Sequence, residues 1–186
     1  MSDTDIINTA QQDFNCISKK RRILSLVLYI VITAVLTQID QITKYIAEQR
    51  LYNKPDFVII KDVLHLTYLR NNGSAFGMFS GKINAFLVLT VIMICLITYV
   101  VLKMPLIIKY IPVYITCILL AAGAIGNFID RVRFGYVRDF IYFKIINFPV
   151  FNVADIYVVV SILVLIILIL FVYKNEDDFA FLSLKK

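Results

Sequence analysis

Two aspartates, Asp130 and Asp155, each follow an asparagine by three residues, Asn127 and Asn152, and each sits where a long apolar run meets loop. Three residues is close to one helical turn, so each Asn/Asp pair is expected on one face of its helix. Ionisable groups at membrane depth carry a desolvation cost, which marks the two acids as a candidate reaction centre. Two carboxylates brought close cannot both ionise readily. One keeps its proton while the other, as carboxylate, deprotonates a water for attack on a carbonyl. Plainer readings exist for each acid. Asp130 beside Arg131 could be an interfacial ion pair, and Asp155 a helix N-terminal acid favoured by the dipole. Asp139, in VRDF (Val137 to Phe140), is the competing dyad member. Placed mid-loop beside Arg138, it reads as an ion pair or a loop-ordering group. Asp40 and Lys44 at i,i+4 read as a helix-start acid and a helical ion pair worth roughly 0.2–0.5 kcal/mol.

Other chemistries find little support in the chain. His65 is the sole histidine and falls in an expected strand, no serine has a GxSxG context, and HExxH spacing is absent. Cys16, Cys95 and Cys117 show no CxxC spacing, so they read as small apolar residues, not as a zinc site or disulfide framework. A metal hydrolase on carboxylates is weakened by the shortage of His and Glu ligands, and the expectation is no metal and no cofactor.

The elements that must position these acids are membrane spans. The 186 residues are 60% hydrophobic and 17% charged, far more apolar than an average soluble domain. Mean hydropathy is +0.82. Expected spans run over 23–39, 83–102, 111–129 and 150–173, flanked by polar tails at 1–22 and 174–186. Residues 1–18 lack periodicity and read as a mobile tail. Asp40 to Tyr52 has apolar residues at helical spacing and reads as a short interfacial helix. Phe57 to Arg70 reads as two short strands and NNGSAFG (Asn71 to Gly77) as irregular backbone, together a small lobe outside the membrane. Residues 130–147 read as a polar loop. Ala122 and Gly126 have small-xxx-small spacing, which predicts close helix contact. The fold class is therefore an all-α membrane protein of four transmembrane helices with a small β-containing extracytoplasmic lobe. The Lys19 to Arg22 run places both termini in the cytoplasm, and the net charge of +6 reads as orientation, not nucleic-acid binding. With four spans, Asp40, NNGSAFG, Asp130 and Asp155 all fall at the outer surface. A transporter or assembly factor using paired acids for ions or protons is the rival class, but acids are missing from the middles of the spans and no internal repeat is visible.

In order, DQITK (Asp40 to Lys44), NNGSAFG, GAIGNFIDR (Gly123 to Arg131), VRDF and FNVAD (Phe151 to Asp155) resemble the motifs of lipoprotein signal peptidase, also called signal peptidase II. The resemblance covers residues 23–173. It implies an aspartic endopeptidase of the bacterial cytoplasmic membrane. Such an enzyme cuts prolipoproteins just before a diacylglyceryl-modified cysteine, with membrane lipid as part of the substrate's setting. It further implies Asp130 and Asp155 as the catalytic pair. Asn71, Gly73, Asn127, Arg131 and Asn152 would shape or order the site, and Asp40, Lys44 and Asp139 would be structural or near the substrate. Two departures are the long polar tail before the first span, and Ile156 where the family commonly has a small residue.

Overall fold

The computed structural model describes residues 3–73 and 83–182, so Ser74 to Gly77 of the NNGSAFG motif lie outside the described residues. Four helices make the body: α1 (Asp3–Leu51), α2 (Ile83–Lys103), α3 (Ile111–Phe134) and α4 (Val153–Ile167), the last continued by a π-helical turn, Leu168–Val172. Each carries a stretch long and apolar enough to cross a membrane: Lys20–Leu51, Asn84–Lys103, Ile108–Phe134 and Val153–Val172. Their outward faces are apolar, with Val88, Leu89, Leu163 and Leu170 exposed, as helices solvated by lipid require. Between them, Tyr29, Ile97, Val101, Tyr114, Ile118 and Leu168 form the buried core.

The first helix departs from expectation. The polar tail, the first span and the interfacial helix are one continuous helix from Asp3. No Gly or Pro occurs between residues 3 and 51, so nothing in the chain stops the helix until the left-handed Asn53 (φ 55°) and Pro55. Beyond α4, residues expected as a plain tail include a 3-10 segment, Glu176–Leu182, folded onto the end of the bundle. There Asp178 pairs with Lys109 at 2.6 Å and Phe181 packs on Tyr110.

At the other end of the bundle sits an antiparallel sheet of order β1-β2-β3, formed by β1 (Phe57–Ile60), β2 (Leu64–Asn71) and β3 (Val137–Phe143). The first two are the expected strands; the third lies in residues expected to be loop. VRDFIYF has β-branched and aromatic residues, but it becomes a strand by pairing with β2, from Asn71↔Val137 to Leu64↔Phe143. Gly135, left-handed at φ 77°, caps α3 and turns the chain into β3.

Small residues bring α3 close to both neighbours, as the small-residue spacing predicts. A Cβ on Gly123 would lie 2.5 Å from the Ala154 carbonyl oxygen, and one on Gly126 would lie 2.5 Å from Asp40 Oδ2. Ala122 is fully buried, and Thr37 Oγ1 donates to its carbonyl at 3.4 Å.

Candidate active site

Two polar centres share the sheet end of the bundle, and they divide the aspartates differently from expectation. The first is an ion cluster. Asp130, fully buried, accepts from Arg138 Nη2 at 2.8 Å, from the Arg138 backbone N–H at 2.9 Å and from Gln41 Nε2 at 3.2 Å. Lys44 Nζ lies 3.7 Å from Asp130 and 2.9 Å from Asp40, and Lys44 and Asp40 are both fully buried. Arg138 also donates to Glu48 at 3.3 Å, and Glu48 in turn accepts from Tyr68 Oη at 3.0 Å. Asp40 Oδ1 accepts from the Ala154 backbone N–H at 2.9 Å, which joins α1 to the start of α4. Asp40 and Lys44 form the expected i,i+4 helical pair, but fully buried and in mid-helix, not at a helix start. They are desolvated charges whose partners must all be present, since removing one leaves the others uncompensated.

The second centre opens onto a cavity of about 590 Å³. Asn71, Gly73, Asn127, Arg131, Asp139 and Asp155 form its polar end, and Phe143, Ile146, Phe148, Phe151 and Val159 are among its apolar walls. Asp130 does not line it. Asp139 Oδ2 accepts from Asn71 Nδ2 at 2.8 Å and its Oδ1 from Asn152 Nδ2 at 2.6 Å. Asp155 Oδ1 accepts from Asn127 Nδ2 at 2.8 Å and its Oδ2 from the Asn152 backbone N–H at 3.1 Å. One residue, Asn152, thus donates to both carboxylates. Burial first, and then the charge of Asp155, push the Asp139 carboxyl up to about 7.

Local structure explains this division. In β3, successive side chains alternate between faces. Val137 and Asp139 point to the cavity, while Arg138 reaches the ion cluster and Phe140 packs on Ala47 and Leu51 of α1. Arg138 therefore pairs with Asp130 and Glu48, and its neighbour Asp139 is left to face the site. Asn152 and Asp155 are likewise not a pair on one helix face. They are the N-cap and third residue of α4, joined as a capping box. The bridge Ile141↔Phe151 holds β3 beside the segment leading into that cap, and this sets Asp139 against Asp155. On α3, Asn127 and Asp130 part company: Asn127 reaches Asp155 and Asp130 reaches Arg138. Reasoning from sequence missed Gln41, Glu48 and Arg138. The signal available for Arg138 was the period-two pattern of VRDF.

The profile of the family described as signal peptidase (SPase) II matches residues 32–171. The chain belongs to the signal peptidase II family. Among signal peptidase II relatives, the lipoprotein signal peptidase of Caldanaerobacter subterraneus subsp. tengcongensis is 45% identical over 143 residues, covering 76% of this chain and 95% of the relative. That of Enterococcus faecalis is 41% identical over 153 residues, covering 82% and 91%. A bacterial membrane enzyme solved by the in meso method at 2.3 Å resolution superposes with a TM-score of 0.67 at 32% identity, over 86% of this chain and 93% of that one. Family and fold agree on a multi-pass membrane peptidase.

Proposed function

We propose that this chain is an aspartic endopeptidase that removes the signal peptide from prolipoproteins, cutting before a diacylglyceryl-modified cysteine, with Asp139 and Asp155 as the catalytic pair. One observation carries the choice of pair: Asp139 and Asp155 both line the cavity and both bond to Asn152, whereas Asp130 is enclosed by Arg138, Lys44 and Gln41. The pair Asp130 and Asp155 expected from sequence is set aside on this ground. An acid saturated by a guanidinium and held near an ammonium is poorly placed to exchange a proton.

The chemistry runs on one shared proton. Asp139, pushed up to about 7, is the member that holds it, and Asp155, as carboxylate, takes a proton from a water whose oxygen attacks the scissile carbonyl carbon. Asp139 gives its proton to the carbonyl oxygen as the tetrahedral intermediate forms. Collapse returns a proton from that hydroxyl to Asp139, while the proton on Asp155 passes to the leaving amine nitrogen, and the pair is restored. The cavity's apolar walls suit acyl chains, whose burial contributes about 0.8 kcal/mol per CH₂, so the lipid supplies much of the discrimination. Arg131 lines the polar end, and in this reading it meets the substrate backbone.

The test is cleavage by purified protein of a lipidated precursor peptide and its unmodified counterpart. The lipidated form should be cut in strong preference. Asp139→Asn and Asp155→Asn should each lower turnover about 10²–10⁴-fold while the protein stays folded. Asp130→Asn should act chiefly by weakening the fold. Near-normal turnover in Asp139→Asn would return the assignment to Asp130.

A further inference from the structure

Lys44 stands outside the cavity, yet it decides what the cavity presents to Asp155. An ammonium only donates, so Asn127 must turn its amide oxygen toward Lys44, and Nζ lies 2.9 Å from Oδ1. The same oxygen accepts from Asn152 Nδ2 at 3.1 Å. With its oxygen committed, the Asn127 amide must point its NH₂ at Asp155, at 2.8 Å. Asn152 is oriented by a separate constraint. The Asp155 backbone N–H donates to Asn152 Oδ1 at 3.0 Å, which leaves Nδ2 for Asp139 and Asn127. We infer that Lys44 is a positioning residue: by locking the Asn127 amide it keeps a donor on Asp155 and so favours Asp155 as the member of the pair that carries the negative charge.

This rests on Asp139 and Asp155 being the catalytic pair. The groups facing Asp155 are Asn127 and Arg131 from α3, Asp139 from β3, and the Asn152 N–H at the start of its own helix. Those facing Asp139 are Asn71 from β2, Asn152 and Asp155, and, through space, Lys44 from α1 and Arg131 from α3. Without Lys44, only the Asn152 amide still holds the Asn127 oxygen away from Asp155, and each rotation of that oxygen toward Asp155 replaces attraction by repulsion. The pair then keeps only the bias that burial of Asp139, Arg131 and the Asn152 N–H supply.

Asn127→Asp separates this from a structural role, because it keeps an acceptor for Lys44 and Asn152 but offers Asp155 an oxygen in place of a donor. In cleavage of the lipidated precursor, kcat should fall roughly 10²-fold, with KM within about threefold of wild type. The acidic limb of the kcat profile should move up by about one pH unit or more. Lys44→Met combined with Asp40→Asn removes one charge of each sign from the ion cluster and should shift the limb the same way. Lys44→Arg, again a donor only, should leave the limb in place. In whichever of the first two variants folds, an acidic limb at its wild-type position overturns the inference. Asp155→Asn is assayed alongside. If it is active, the catalytic pair itself is misassigned; if it is inactive and the limb is unmoved, only the role of Lys44 is wrong.

Discussion

Asp139 is 2% exposed, and its carboxyl lies well above the ordinary carboxylate range, so the folded state holds its proton to higher pH than the unfolded chain does. Between the unfolded value and about 7, folding binds a proton, and stability falls as pH rises through that window. Asp139→Asn cannot titrate there. Thermal unfolding measured from about pH 4 to about pH 8 should therefore show wild type losing stability relative to Asp139→Asn as pH rises. A pH-independent difference between the two would mean that Asp139 is already ionised in the folded protein across this range. Asp130 shows the opposite design, a buried carboxylate with a guanidinium at 2.8 Å. The types and spacing of the two residues, an acid beside an arginine at a boundary, look alike in sequence. What separates them is the direction each side chain takes from its backbone.

At the scale of elements, the site depends on how close α3 comes to its neighbours. Gly126 leaves room for Asp40, which reaches past it to the first turn of α4. A methyl group there would sit 2.5 Å from a carboxylate oxygen that is also held by Lys44 at 2.9 Å, so neither partner yields freely. Gly126→Ala should lower stability by about 1–3 kcal/mol. It should reduce activity as well, because displacing Asp40 disturbs both Lys44 and the start of α4. Thermal unfolding and cleavage measured on the same preparation test this, and unchanged values for both would show that α1 and α3 can separate at no cost. The spacing of small residues was readable as a helix contact. That the contact shelters a carboxylate was not, since Asp40 is remote in the chain.

Over the whole molecule, the cavity with its ion cluster and the closure of the bundle lie at opposite ends. The sheet, the ion cluster and the cavity sit where α1 and α3 end and α4 begins; the Lys109–Asp178 pair sits at the other end. We propose that the site end lies outside the cytoplasm, because the basic run at Lys19 to Arg22 precedes the first span. Single cysteines near Pro55 and near Phe134, introduced after removal of the native cysteines, should both react with an impermeant thiol reagent added from outside. Labelling of only one would break the common orientation of the sheet end.

Four spans, their order, the strands after Pro55 and a cluster of acids and asparagines at one membrane surface were determined by the sequence itself. Span length and apolar composition are local properties, and alternating spans force the motifs to one side. Which aspartates face each other was decided only by tertiary structure. Residues 137–143 become a strand because β2 lies beside them, and period-two geometry then sends Arg138 to Asp130 and Asp139 to Asp155's cavity. The Asn152 and Asp155 spacing fits both a helix face and a helix cap. The bridge from β3 to Phe151 and the start of α4 at Val153 make it a cap, and a cap is what leaves Asn152 free to hold both acids.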